Sequence, residues 1–160
     1  LSRAKSRDVR ALDQVKRNLS KGVVPMTTGY SGTPLARKLG FKPGMRVWFD
    51  GIPDTVRAEI AAEVEALEIV GDPAKGFGAA HLFTTERAVL ERELARLMAS
   101  MDRDGMIWVS WPKKAAKLDT DITEDVIRSV ALPMGLVDVK VCAVDATWSG
   151  LKLVIRKELR

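Results

Sequence analysis

From residue 45 to its end the chain alternates between two hydrophobic periods, and that alternation limits its fold more than any single motif does. Continuous apolar runs at residues 45–50 (MRVWFD), 79–85 (AAHLFTT) and 106–111 (MIWVSW) have the length and bulk of buried strands, with a shorter candidate at 68–70 (EIV). Between them lie stripes at helical spacing: Val56, Ile60, Val64 and Leu67; then Leu90, Leu94, Leu97, Met98 and Met101; then Val126, Ile127 and Val130. The tail switches to alternation, Val137, Val139, Val141 and Ala143 followed by Leu151, Leu153 and Ile155, which predicts a hairpin joined at residues 145–150. Strands separated by helices run parallel, because each return needs a crossover, and the crossovers cover both faces of the sheet. The predicted class is therefore α/β: a mostly parallel sheet with helices on both faces and a C-terminal antiparallel hairpin.

Local signals mark where elements begin and stop. In TPLARKLG, Thr33 suits an N-cap, Pro34 the first helical turn, Arg37 and Lys38 the last turn, and Gly40 a left-handed stop. Gly29 and Gly32 ahead of it suggest a phosphate loop, but no strand precedes them and no Gly-Lys-Ser/Thr follows. Gly51-Ile52-Pro53 closes the first strand and Asp54 is a candidate cap for the helix that follows. Thr84 or Thr85 is the candidate cap for a helix over 86–101, and residues 121–124 open the last helix, which Pro133 and Gly135 end. Residues 71–78 (GDPAKGFG) read as a loop, and 102–105 (DRDG) as a turn.

Composition matters here through charge. A net charge of +5 invites a nucleic-acid reading. Seven of the 26 basic residues and two of the 21 acidic ones fall in residues 1–25, leaving 19 of each sign elsewhere. The excess is confined to a basic N-terminal extension, 1–25, and a single domain is expected over 26–160. Val9, Leu12, Val15 and Leu19 would give the extension one apolar helical side, and it is expected to be separable from the domain. No apolar run reaches the ~20 residues of a membrane span. No apolar stretch follows the basic start, as a secretory signal would require. The single cysteine, Cys142, excludes an intrachain disulfide and suits a reducing cytoplasm.

One histidine and one cysteine cannot assemble a Cys/His zinc site. His81, inside a predicted strand, is expected to be packed and hydrogen-bonded, and Cys142 to be a small buried residue. LDTDIT (118–123) matches a short DxDxT pattern used in aspartate phosphotransfer, yet PKKAAK precedes it where a buried strand should be. Asp119, Asp121, Glu124 and Asp125 are better explained as acidic residues at a helix start.

The remaining concentration of chemistry is WVSWPKK, residues 108–114. In a strand Trp108 and Ser110 share one side while Val109 and Trp111 share the other. Open α/β sheets bind ligands at the carboxyl ends of their strands. The candidate ligand-binding set is accordingly Asp50, Gly51, Thr84, Thr85, Ser110, Trp111, Lys113 and Lys114, with Trp148 and Ser149 joining only if the hairpin tip folds over. A stacking face beside two lysines points to an anionic small molecule. No catalytic residue, metal ligand or cofactor is assigned.

FKPGMRVWFDG (41–51) resembles the LKPGxRVLDxG segment that opens class I methyltransferases, and the last helix and hairpin resemble the end of that fold. GYSGTPLARKLG, WVSWPKK and VDVKVCAVDATWSGLKLV together resemble a family of short bacterial proteins classed as a domain of unknown function, over roughly residues 26–160. The resemblance implies a Rossmann-like, methyltransferase-like sheet in a bacterial protein and supplies no activity. A methyltransferase needs a turn after its first strand that lets the backbone meet the cofactor, normally through several glycines. DGIPDT offers Gly51 alone, with Pro53 stiffening the turn. The expectation is a non-catalytic small-ligand-binding or regulatory protein that uses the cleft near Trp111. The alternative is a diverged S-adenosylmethionine-dependent methyltransferase, and nucleic-acid binding through the extension is third.

Overall fold

The structure is a computed structural model and describes residues 33–160. The readings placed on residues 1–32, the basic extension and Gly29 and Gly32 among them, lie outside the described residues. The chain runs through α1 (Leu35–Lys38), β1 (Arg46–Asp50), α2 (Asp54–Glu59), α3 (Ala61–Val64), β2 (Glu68–Ile69), β3 (Phe77–Phe83), α4 (Arg87–Ser100), β4 (Met101–Pro112), α5 (Glu124–Met134), β5 (Leu136–Ala143) and β6 (Trp148–Ile155). The strands form one sheet in the order β2-β1-β3-β4-β6-β5. β1 pairs in parallel with β2 and β3, and β3 with β4, while β6 runs antiparallel to both β4 and β5. This is the predicted α/β class with its closing hairpin.

Helices cover both faces. On one face Leu90, Leu94 and Leu97 of α4 and Ile127 and Ala131 of α5 are fully buried against Leu82, Ile107, Val109, Leu151 and Leu153. Each such leucine, isoleucine or valine side chain contributes about 1.5–3 kcal/mol relative to exposure. The other face holds Leu35 and Ala36 of α1, Val56 of α2 and Ile60, packed on Val47, Ala79, Phe83 and Trp108. The Trp108 indole N–H, deep in that layer, donates to the Leu39 carbonyl at 2.8 Å, which anchors the end of α1 to the middle of β4.

Several element ends differ from the sequence reading, each for a local reason. Pro34, with an extended ψ of 140°, is the N-cap of α1, so the helix starts one residue later than predicted. The helix expected over 54–67 breaks at Ile60 (φ −100°, ψ 6°), yet its stripe still meets the sheet through Val56 and Ile60. Residues 102–105 do not separate helix from strand. Met101 already pairs with Phe77, and Met106 pairs with Ala79, so the four residues between bulge out of a continuous β4. A Cβ on Gly105 would stand 2.9 Å from two carbonyl oxygens, which explains the glycine in that bulge.

In β5 the predicted inward row fails. Val139 and Val141 are 54% and 52% exposed, because the register shifts between Asp138 and Lys140 on what is an edge strand. Among the described residues no helix is long and apolar enough to cross a membrane.

Candidate functional site

β1 lies between β2 and β3, so the chain reverses its direction of travel across the sheet there. Such a switch point opens a crevice at the carboxyl ends of the strands. Its parts are Asp50, half-buried at the end of β1, and Gly51, exposed with φ +68°. A Cβ on Gly51 would stand 2.7 Å from the Phe83 carbonyl oxygen. Left-handed backbone and close approach both demand glycine at this position. Pro53 follows as the extended N-cap of α2. Beyond β2, Asp72 is exposed, and its Oδ1 accepts from Ala74 N–H at 3.0 Å. It follows Gly51 by about 20 residues, the spacing at which nucleotide-binding sheets place the carboxylate that meets a ribose. That spacing is visible in the sequence, although Asp72 is not in the candidate set read from it.

At the end of β3, Thr84 is buried and its Oγ1 accepts from Glu86 N–H at 3.1 Å. The Thr85 carbonyl accepts from Thr120 Oγ1 at 2.7 Å and from Asp121 N–H at 3.3 Å. Asp121 Oδ1 in turn accepts from Arg87 N–H at 2.6 Å. The segment after β4 thus folds back as a strap over the β3–α4 junction. Asp121 serves α4 rather than α5, where its charge suits the exposed N–H groups of the first turn. α5 is capped by Thr123, which accepts from Val126 N–H at 3.2 Å. Thr84 and Thr85 are engaged in this strap and the turn beneath it.

At the end of β4 an open cleft of about 650 Å³ is lined by Trp111, Lys113, Lys114, Leu118, Ile122 and Thr123. Glu124 and Asp125 reach its edge but are held by Arg128 at 2.7 and 3.2 Å. Arg128 also meets Asp138 at 3.0 Å, and that hydrogen bond, chief among its carboxylate contacts, raises its pKa. Trp111 pairs with Ser149 and Pro112 with Trp148, which sets the hairpin tip beside β4. Trp148 packs on the opposite side, edge-on to Phe83 at 5.4 Å. The structure therefore brings Trp111, Lys113 and Lys114 together, leaves Asp50 and Gly51 two strands away, and places Thr84 and Thr85 between the two groups.

Ser110 does not reach the cleft. It faces away from Trp111, is fully buried, and its hydroxyl lies 2.7 Å from His81 Nε2. His81 stacks on Phe83 at 4.1 Å, and burial pushes its pKa down to about 3, so the ring is neutral. Its Nδ1 has no hydrogen-bond partner among the described residues. No group of three or more His, Cys, Asp or Glu side chains among the described residues is placed to hold a metal ion.

No protein-family model matches the chain, and no curated protein matches it in sequence. Solved structures match it in fold. A protein assigned as a type 11 methyltransferase from Sulfolobus solfataricus aligns with a TM-score of 0.51 and 12% identity, over 77% of this chain and 90% of that one. The magnesium protoporphyrin IX methyltransferase of Synechocystis PCC 6803, solved with bound S-adenosylmethionine, aligns with a TM-score of 0.50 and 13% identity, over 77% and 74%. The core has the class I methyltransferase fold. This overturns the expectation of a non-catalytic binding protein and favours its alternative, since the fold is shared with methyltransferases and one is solved with its cofactor. In DGIPDT, Gly51 by itself makes the close turn after β1, and Pro53 is the extended N-cap of α2.

Proposed function

We propose that the chain is a small S-adenosylmethionine-dependent methyltransferase that takes its cofactor at the switch point between β1 and β3. Gly51 carries the reading: exposed, left-handed and without room for a side chain, it presents bare backbone where a ligand can approach closely. The donor set fits the cofactor. Asp72 offers an exposed carboxylate to ribose hydroxyls, with only its Oδ1 occupied by Ala74, and Asp50 offers an acceptor at the end of β1 for an ammonium group. When bound, S-adenosylmethionine supplies an electrophilic methyl group, the acceptor's lone pair forming the new bond as the carbon–sulfur pair returns to sulfur. The chain's own residues bind and orient. The sole histidine is buried and neutral, so the reading favours an acceptor that arrives already ionised. A bacterial cytoplasmic setting goes with this reading, in keeping with the single, buried, free Cys142.

Calorimetric titration tests it. S-adenosylmethionine is expected to bind with a Kd of about 10 μM or tighter. Asp72→Asn keeps the oxygen that meets Ala74 but removes the charge, and should weaken binding about tenfold, the loss of one charge-assisted hydrogen bond. No heat of binding with cofactor at about 1 mM would overturn the proposal.

A further inference from the structure

We infer that the cleft between β4 and α5 is the acceptor site and takes a compact aromatic monoanion, an aryl carboxylate. Its role as acceptor site rests on the methyl-transfer reading above; its capacity to bind such an anion does not. The cleft opens on the same edge as the switch point, two strands from β1, a separation of about 10 Å at the usual strand spacing. By strand alternation Asp50, Thr84 and Trp111 all lie toward the face that α4 and α5 cover, as do Trp48, Leu82 and Val109. Cofactor and acceptor would thus meet on one side of the sheet.

The walls define the ligand. Half-buried Trp111 and buried Ile122 give flat apolar surface. Leu118 is 50% exposed, a large apolar side chain left on the cleft by a loop that has no packing use for it. Lys113 and Lys114 stand at the same cleft, and among the described residues neither is paired with a carboxylate. A flat apolar body with one negative end satisfies both sets of groups. Glu124 and Asp125 limit the charge. Arg128 offsets them, but a polyanion reaching across the cleft would meet them, whereas a single carboxylate held by the lysines would not. At about 650 Å³ the space accommodates one or two fused rings with water to spare.

The test uses the full chain, 2-naphthoate and its neutral counterpart 2-naphthamide, each titrated by calorimetry. The expected result is naphthoate binding with a Kd on the order of 100 μM and naphthamide binding about tenfold more weakly, since only the carboxylate engages the lysines. Lys113→Ala with Lys114→Ala should reduce naphthoate to the affinity of naphthamide while leaving both naphthamide and S-adenosylmethionine binding unchanged. Equal affinities for the two probes, naphthoate binding that survives the double substitution, or no naphthoate binding at about 5 mM would each overturn the inference. If naphthoate behaves as expected and S-adenosylmethionine fails to bind, the cleft stands as an aryl-carboxylate site and only its use in methyl transfer falls.

Discussion

Where β1 meets β3, the chain is packed so closely that a methyl group on Gly51 would stand 2.7 Å from a backbone oxygen. Two strands along the same edge, the cleft beside β4 holds about 650 Å³ and is walled by tryptophan, leucine and lysine side chains. The first region is made by backbone and tolerates almost no change of shape. The second is made by side chains that protrude from a scaffold already complete without them. A site of the first kind is coupled to folding, so substitutions there report on stability and binding together. A site of the second kind can be altered while the fold stays intact, which is why the lysines are the cleaner probe.

The sharpest way to break this contrast is Gly51→Val. A β-branched side chain would meet both the positive φ and the Phe83 carbonyl, and a loss of about 3 kcal/mol in urea-monitored stability is expected. A loss under about 1 kcal/mol would show that the β1–β3 junction is not tightly built.

Beneath both regions lies the His81–Ser110 pair, and it should make the fold acid-sensitive. His81 has a folded pKa of about 3, below the ordinary imidazole value of 6.5, so between these values the unfolded chain binds a proton that the folded chain does not. Stability present above pH 6.5 is then lost as pH falls toward 3, at about 1.4 kcal/mol per pH unit. His81→Gln should remove that part of the slope between pH 6 and 4, and an unchanged slope would assign the acid sensitivity to other groups.

The strap between the two regions is expected to matter less. Asp121→Ala removes the cap on α4 and should cost about 1 kcal/mol. A neutral result would mean that water replaces the carboxylate without loss. Least of all, Lys113→Ala and Lys114→Ala should each change stability by about 0.5 kcal/mol or less, seen as an unchanged urea midpoint. A larger loss from either would make the cleft part of the scaffold and erase the distinction.

Much of this was legible in the residues alone. The succession of strands and helices, the inward row Leu151, Leu153 and Ile155, the buried Trp108, the left-handed stop at Gly40 and the helix end at Gly135 follow from periods of two and 3.6 residues and from local φ requirements, although Pro133, expected to share in ending that helix, lies inside it. Each is encoded in neighbours along the chain, where spacing is enough. Which strands lie side by side was not encoded that way, nor was the bulge that absorbs residues 102–105, nor the register shift that turns Val139 and Val141 to solvent. The candidate site divided along the same line. The alternation of WVSWPKK rightly placed Trp111 opposite Ser110, but only the sheet brought His81 to Ser110 across 29 residues and Asp121 to Arg87 across 34. Only the sheet, too, set Gly51 apart from the lysines. Hydrogen bonds between distant residues leave no period in the sequence, because they are selected by the packing of whole elements, and the two halves of the carboxyl edge took their separate forms at that level.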